Sequence, residues 1–322
     1  MTLPNEADMK QHRVIFDTDP GLDDAVAILF LLGARADIEL LGMTTVAGNV
    51  GVELTTRNAR IVCEWAGRSD VPVYAGADRP LVQPYQGAEH VHGASGLDGA
   101  PLHEPVMPVR SEHAVDFIID TLRREPPGSV TLCPVGPLSN IALALRRAPD
   151  IAARIGRIVL MGGGYFAGGN MTPAAEFNIH TDPHAADIVL RSGAPIVMLP
   201  LDVTHQATTT PARVALLRDL PNRCGPLAAS LLTSLERYDV QKLGQDGAPV
   251  HDPCVIAYLL RPDLFRGRTV NVVVELAGHY TTGATVVDWH GESGREPNAL
   301  YLTEVDADGL FQLMAEALAH LP

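Results

Sequence analysis

Asp17, Asp19, Asp23 and Asp24 place four carboxylates in one eight-residue stretch, Asp17-Thr18-Asp19-Pro20-Gly21-Leu22-Asp23-Asp24. Two unit charges about 4 Å apart repel by roughly 4 kcal/mol at an effective dielectric near 20. Four ionised acids in one turn therefore call for a positive partner. A helix N-terminus would account for Asp23 and Asp24. It would not account for Asp17 and Asp19 ahead of it. Oxygen-only donors point to a hard divalent cation, Ca²⁺ or Mg²⁺, and away from zinc or copper. The spacing is not that of an EF-hand loop, which is longer and closes on Glu. A further carboxylate arrives late, in Val250-His251-Asp252-Pro253-Cys254. Alone, Asp252 reads as an Asp-Pro helix cap. Beside the first cluster it becomes a candidate ligand, and His251 a candidate general acid.

The flanking residues say which elements must hold these groups. Val14-Ile15-Phe16 reads as a short buried strand, and the apolar run Ala25 to Leu32 is long enough for a helix. The acids thus fall where a strand hands over to a helix, the edge at which open α/β sheets bind ligands. The alternation continues along the chain. Strands are expected at 13–16, 38–46, 71–75, 130–134, 157–161, 195–199 and 269–276. Helices are expected at 23–33, 52–66, 113–124, 138–147, 184–192, 212–219, 226–240, 252–261 and 307–319, with caps at Ser111, Asp182 and Thr210. This predicts an α/β fold: a polar tail over 1–12, then one domain over 13–322 with an open, mostly parallel sheet and helices on both faces. Three polar loops, 78–110, 162–180 and 238–251, are long enough to be functional. Gly162-Gly163-Gly164-Tyr165-Phe166-Ala167 formally fits a dinucleotide fingerprint, but the next residues, Gly168-Gly169-Asn170-Met171-Thr172-Pro173, do not open a helix.

Composition narrows the class. The chain has 322 residues, 46% hydrophobic and 19% charged, which fits a globular enzyme with an ample core. A net charge of −14 argues against nucleic acid or an anionic membrane as partner. Cys63, Cys133, Cys224 and Cys254 are scattered, with no CxxC pair, as expected of reduced core thiols in a cytoplasmic protein. Met1 to His12 lacks the apolar stretch of a secretory signal, and no run approaches the about eighteen apolar residues of a membrane span.

Asp17 to Asp24, with Ala25, resembles the N-terminal signature of the inosine-uridine-preferring nucleoside hydrolases. The resemblance continues through Gly48-Asn49-Val50, His92-Gly93-Ala94-Ser95-Gly96-Leu97 and Pro134-Val135-Gly136-Pro137-Leu138-Ser139-Asn140. It goes on in Met161-Gly162-Gly163-Gly164, Ala175-Glu176-Phe177-Asn178 and Val250-His251-Asp252-Pro253. The resemblance implies a calcium-dependent enzyme of nucleoside salvage, a homotetramer or dimer, splitting ribonucleosides into base and ribose. By that resemblance Asp19, Asp24 and Asp252 bind Ca²⁺, and the backbone carbonyl of Val135, where relatives often carry Thr, adds an oxygen. Asp19 is also the general base, and Asp17 supports the group from behind. Asp23, Asn49, Asn170, Glu176 and Asn178 hold ribose hydroxyls, and Met161 lies under the sugar. His92 and Phe177 line the base side, and His251 faces the leaving group. Tyr238 and Gln241 are the candidates for gripping the base. With aromatics at only 5% of the chain, a stacking purine pocket is disfavoured and an inosine-uridine or pyrimidine preference favoured.

Two other readings stay open at this point. A Mg²⁺-dependent phosphohydrolase could use Asp17 as nucleophile and Asp19 as acid/base, but it would need a Lys and further acids at strand ends. A non-catalytic Ca²⁺-dependent ribose-binding protein would have no reason to keep Asp19, Asn178 and His251 together.

Overall fold

Apolar alternation decides the sheet. In β1 (His12–Thr18), Val14 and Phe16 enter one hydrophobic core and Ile15 the other, as a strand buried on both faces requires. The computed structural model describes residues 11–243 and 247–322, excepting the side chains of 237–243. The further strands are β2 (Ile38–Thr45), β3 (Val73–Ala75), β4 (Val130–Pro134), β5 (Ile155–Met161) and β6 (Ile196–Leu199). They are followed by β7 (Phe265–Val274), β8 (Thr285–Asp288) and β9 (Ala299–Val305). Together they form one sheet in the order β3-β2-β1-β4-β5-β6-β9-β7-β8. It is parallel from β3 to β9, and β7 runs antiparallel to both β9 and β8. The expected mostly parallel α/β sheet is present. The sequence reading missed β8 and β9. The latter, Ala299-Leu300-Tyr301-Leu302-Thr303-Glu304-Val305, mixes the strand formers Tyr301, Thr303 and Val305 with the strand-depleted Ala299 and Glu304, and it lies between β6 and β7.

The helices are α1 (Leu22–Gly33), α2 (Val52–Trp65), α3 (Glu89–His92), α4 (Ala114–Arg124), α5 (Ser139–Arg147) and α6 (Phe177–Thr181). They continue with α7 (Pro183–Leu190), α8 (Leu201–Thr204), α9 (Pro211–Arg218), α10 (Cys224–Leu243), α11 (Pro253–Leu260) and α12 (Ala307–Leu318). Helices α1, α2 and α9 to α12 cover one face of the sheet; α4, α5 and α7 cover the other. Every residue of α1 is buried, because it packs against α2, α10, α11 and α12. Thr210 and Asp182 cap α9 and α7 as expected. Ser111 does not cap α4: His113 does, its Nδ1 accepting from Val115 N at 3.2 Å. After Gly162 to Gly164 no helix opens until Phe177, so the glycines are not a dinucleotide turn. The four cysteines are buried and unpaired. Among the described residues no helix is long and apolar enough to cross a membrane.

Candidate active site

The carboxyl ends of β1, β4 and β5 and the N-termini of α1 and α11 meet around a cavity of about 410 Å³. One oxygen each of Asp23, Asp24 and Asp252 lies within 4.8 Å of the other two, and all three residues are buried. Asp252 stands at the start of α11 yet makes no side-chain cap hydrogen bond, so the plain capping reading does not hold. Asp24 is fixed by four donors. Its Oδ1 accepts from Thr18 Oγ1 at 2.6 Å and Asp19 N at 3.2 Å; its Oδ2 accepts from Gly21 N and Asn49 Nδ2, each at 3.0 Å. Asp19 lies alongside, with Asn49 N donating to its Oδ2 at 2.8 Å. A Cβ on Gly48 would collide with Asp19 Oδ2, and one on Gly136 with Asp19 Oδ1, so these motif glycines make room for the carboxylate.

The electrostatics of this group are one-sided. Asp19, Asp23, Asp24, Glu176 and Asp252 all line the cavity, and among the described residues no Lys or Arg does. Burial, then repulsion by Asp24, pushes Asp19 well above the usual carboxylate range. Burial, then Asp23 and Asp24, does the same to Asp252. Asp24 is raised by burial and by Asp23. Neighbouring carboxylates out of water disfavour the charged state of all of them.

On the far wall, Glu176 caps α6. Its Oε1 accepts from Asn178 N at 2.9 Å, and its Oε2 accepts from Gly163 N at 3.0 Å and Ile179 N at 3.1 Å. Burial still pushes Glu176 up to about 7. Asn178 Nδ2 donates to the carbonyl of Val135 at 2.8 Å and to that of Met161 at 3.3 Å. Asn170 Oδ1 accepts from Phe177 N at 2.9 Å, so the loop after β5 is tied to α6. Four histidines, His90, His92, His205 and His251, also line the cavity. His92 Nδ1 accepts from Leu22 N at 3.0 Å, with its ring against Gly21. His251 Nδ1 lies 2.8 Å from Thr204 Oγ1, and the His205 ring is 5.8 Å from the His251 ring. Burial, ahead of repulsion by His205, pushes His251 down to about 3. Burial likewise pushes His92 down to about 4. Both shifts favour the neutral imidazole.

Known proteins share this arrangement of chain and sheet. Residues 14–312 match the model of the inosine-uridine preferring nucleoside hydrolase family. An uncharacterised protein of Schizosaccharomyces pombe is 51% identical over 310 residues, 96% of this chain and 100% of that one. The pyrimidine-specific ribonucleoside hydrolase RihA of Salmonella paratyphi B is 44% identical over 308 residues, covering 95% of this chain and 98% of that one. The solved purine-preferring ribonucleoside hydrolase from Gardnerella vaginalis superposes with a TM-score of 0.88 at 33% identity, over 96% of this chain and 99% of that one. The chain belongs to the inosine-uridine preferring nucleoside hydrolase family.

As a nucleoside hydrolase it cleaves N-glycosyl compounds, and the expected site residues can be placed against that activity. Asp19, Asp23, Asp24, Asn49, His92, Val135, Met161, Asn170, Glu176, Phe177, Asn178, His251 and Asp252 all line the same cavity. The three-acid group contains Asp23, which the resemblance gave to the sugar. Tyr238 and Gln241 have side chains outside the described residues. Asp17 is not on the wall. It is fully buried behind it, Oδ1 accepting from Thr44 Oγ1 and from Asn140 Nδ2 at 2.7 Å, and burial pushes it up to about 7. A carboxylate sealed from the cavity cannot attack a phosphate there, so the phosphohydrolase reading falls with the family match. Sequence reasoning missed His205, Leu235 and Pro249 on the wall. His205 comes one short helix after the strand expected at 195–199, a carboxyl-end position that the sheet-edge rule could have flagged.

Proposed function

We propose that this nucleoside hydrolase depends on calcium and prefers pyrimidine nucleosides or uridine and inosine, with Asp19 as general base and His251 as donor to the leaving base. The observation that carries the metal is the five-carboxylate wall without a Lys or Arg among its described residues. The oxygens of Asp23, Asp24 and Asp252, within 4.8 Å of one another, suit a cation with oxygen distances of about 2.3–2.6 Å. Asp24 and Asp252 would hold it, with Asp19 and the Val135 carbonyl; that oxygen has a second lone pair beside its bond from Asn178. The ion, when bound, supplies Lewis acidity toward water and a positive anchor for sugar oxygens.

The chain's own groups do the rest. Asp19, aimed by Asn49 N–H, takes a proton from the attacking water. The C–N bond breaks with its electron pair leaving on the base, and positive charge grows on the ribose ring. The carboxylates beneath stabilise that charge. Glu176 accepts from ribose hydroxyls through lone pairs its three backbone donors leave, and Asp23, Asn49, Asn170 and Asn178 complete the sugar contacts. Three backbone bonds fix Glu176 before substrate arrives, which is what orientation in catalysis requires. His251 donates a hydrogen bond to the departing base and keeps its proton. The pyrimidine preference draws on the 44% identity to a pyrimidine-specific relative, against 33% to a purine-preferring one.

The test is free-ribose release from uridine, cytidine, inosine and adenosine, with chelator and with Ca²⁺ or Mg²⁺ restored. Chelation should abolish turnover and calcium should restore it, with kcat/KM highest for uridine or cytidine. Full activity after exhaustive chelation would sink the calcium reading. His251→Ala should lose more rate on uridine than on an activated aryl riboside.

A further inference from the structure

We infer that Thr204 is a positioning residue that dictates which ring nitrogen of His251 carries the hydrogen. The inference rests on the reading of His251 as the group meeting the leaving base. Thr204 ends α8, the short helix after β6, and is fully buried. Its Oγ1 lies 2.8 Å from His251 Nδ1. The two segments are laced together: Val250 N donates to Ala207 O at 2.9 Å, and Thr209 N to Ala248 O at 2.8 Å. The hydroxyl and the ring are therefore held in one frame.

The direction of this hydrogen bond depends on what each partner has left. A buried hydroxyl hydrogen needs an acceptor, whereas a spare oxygen lone pair is tolerated more readily. Elsewhere in the chain a helical threonine satisfies this hydrogen on the carbonyl four residues back, as Thr233 Oγ1 does on Ala229 O at 2.8 Å. For Thr204 that carbonyl is Pro200 O, which already takes the backbone N–H of Val203 and of Thr204 and receives nothing from the hydroxyl. His251 Nδ1 is then the acceptor available to it. Thr204 Oγ1–H donates, Nδ1 accepts, and the ring hydrogen sits on Nε2.

His92 reaches the same state by another route. The backbone N–H of Leu22 donates to its Nδ1, which leaves its hydrogen on Nε2 as well. Two histidines lining the cavity thus each carry an N–H on Nε2. A base leaving with the glycosidic electron pair carries negative charge on its ring nitrogen or exocyclic oxygen, and an N–H is what such charge accepts. The opposite tautomer of His251 would present a lone pair there.

The test begins on the wild-type protein labelled with ¹⁵N on histidine, with His251→Ala identifying the His251 signals. The expected spectrum shows hydrogen on Nε2 and none on Nδ1. Thr204→Val should give a mixture of tautomers, and Thr204→Ser should restore one. In parallel, Thr204→Val should lower kcat on uridine by roughly tenfold or more, leave KM within about twofold, and spare an activated aryl riboside, with Thr204→Ser near wild type. A wild-type His251 carrying its hydrogen on Nδ1 overturns the inference. So do equal losses on both substrates in Thr204→Val, which would mark a structural role only. Equal losses in His251→Ala instead refute the leaving-group reading, whatever the tautomer.

Discussion

Asp252→Asn should stabilise the protein in chelator and destabilise it in calcium. The oxygens of Asp23, Asp24 and Asp252 lie within 4.8 Å of one another. At that spacing and an effective dielectric near 20, each ionised pair repels by about 3.5 kcal/mol. The substitution keeps the shape and removes two of the three pairs. Protonation offers an alternative to repulsion, so the gain is smaller than the sum, on the order of 3 kcal/mol. The direction of the Asp252 shift sets the sign with pH. Its pKa is raised in the folded state, so its contribution is fully present below the unfolded value near 4 and is lost as pH rises through the folded one. The variant's advantage in chelator should therefore vanish below about pH 4 and grow as pH rises above it. Calcium reverses the order. A ligand at a thousand times its Kd adds about 4.1 kcal/mol, more than the variant's lead of about 3, and the variant, one charged donor short, binds calcium too weakly to keep pace. Urea melts of both proteins at pH 8, in chelator and in millimolar calcium, should cross. Equal destabilisation in both media would refute the reasoning, because the carboxylate would then be a structural hydrogen-bonding group and not a repelling charge.

The same geometry gives three further outcomes. Asp17→Asn in the chelated protein should flatten the loss of stability between pH 4 and pH 7, since burial holds Asp17 at about 7; each tenfold change in proton affinity is worth about 1.4 kcal/mol, and parallel pH–stability curves would contradict it. Gly48→Ala should displace the Asp19 carboxylate and cut kcat/KM on uridine by about a hundredfold, whereas Gly51→Ala, whose nearest neighbour is Glu53 Oε2 at 3.6 Å, should leave the rate unchanged. Asp202→Ala should raise KM by several-fold and lower the melting temperature, because its carboxylate also accepts from the hydroxyl of buried Tyr301. Its carboxylate holds Tyr165 N at 2.9 Å and Ala167 N at 2.7 Å, and so the loop bearing Asn170; an unchanged KM would show that the loop holds itself.

Long elements were legible in the sequence because periodicity needs length. The seven expected strands and nine expected helices each run several residues with an apolar repeat. The helices α3, α6 and α8, of four or five residues, have one turn and no repeat to read. They carry His92, Phe177 and Asn178 of the cavity wall and Thr204 behind His251, so part of the wall lies on the least legible elements. The acid cluster was legible because charge density is a property of sequence. The position of Asp23 was not. Adjacent residues on a helix point about 100° apart, and on a half-exposed helix Asp23 and Asp24 could not both stay inside. Helix α1 is buried all round, which keeps both carboxylates out of water, and only its packing against α2 and α10 to α12 brings that about.

The buried acids also connect stability with function. A folded domain is stable by roughly 5–15 kcal/mol. Three ionised pairs at about 3.5 kcal/mol each would offset most of that. Without a cation the folded chain must therefore hold protons in its cluster, as the raised values of Asp19, Asp24 and Asp252 indicate. Those protons neutralise the oxygens that a general base and an oxocarbenium partner need in charged form. Cation binding and the loss of these protons are then one event. On the function proposed above, ionised carboxylates would come into being where the water and the ribose ring are to lie, and the parallel strand ends that position them would be spared the repulsion until the site is filled.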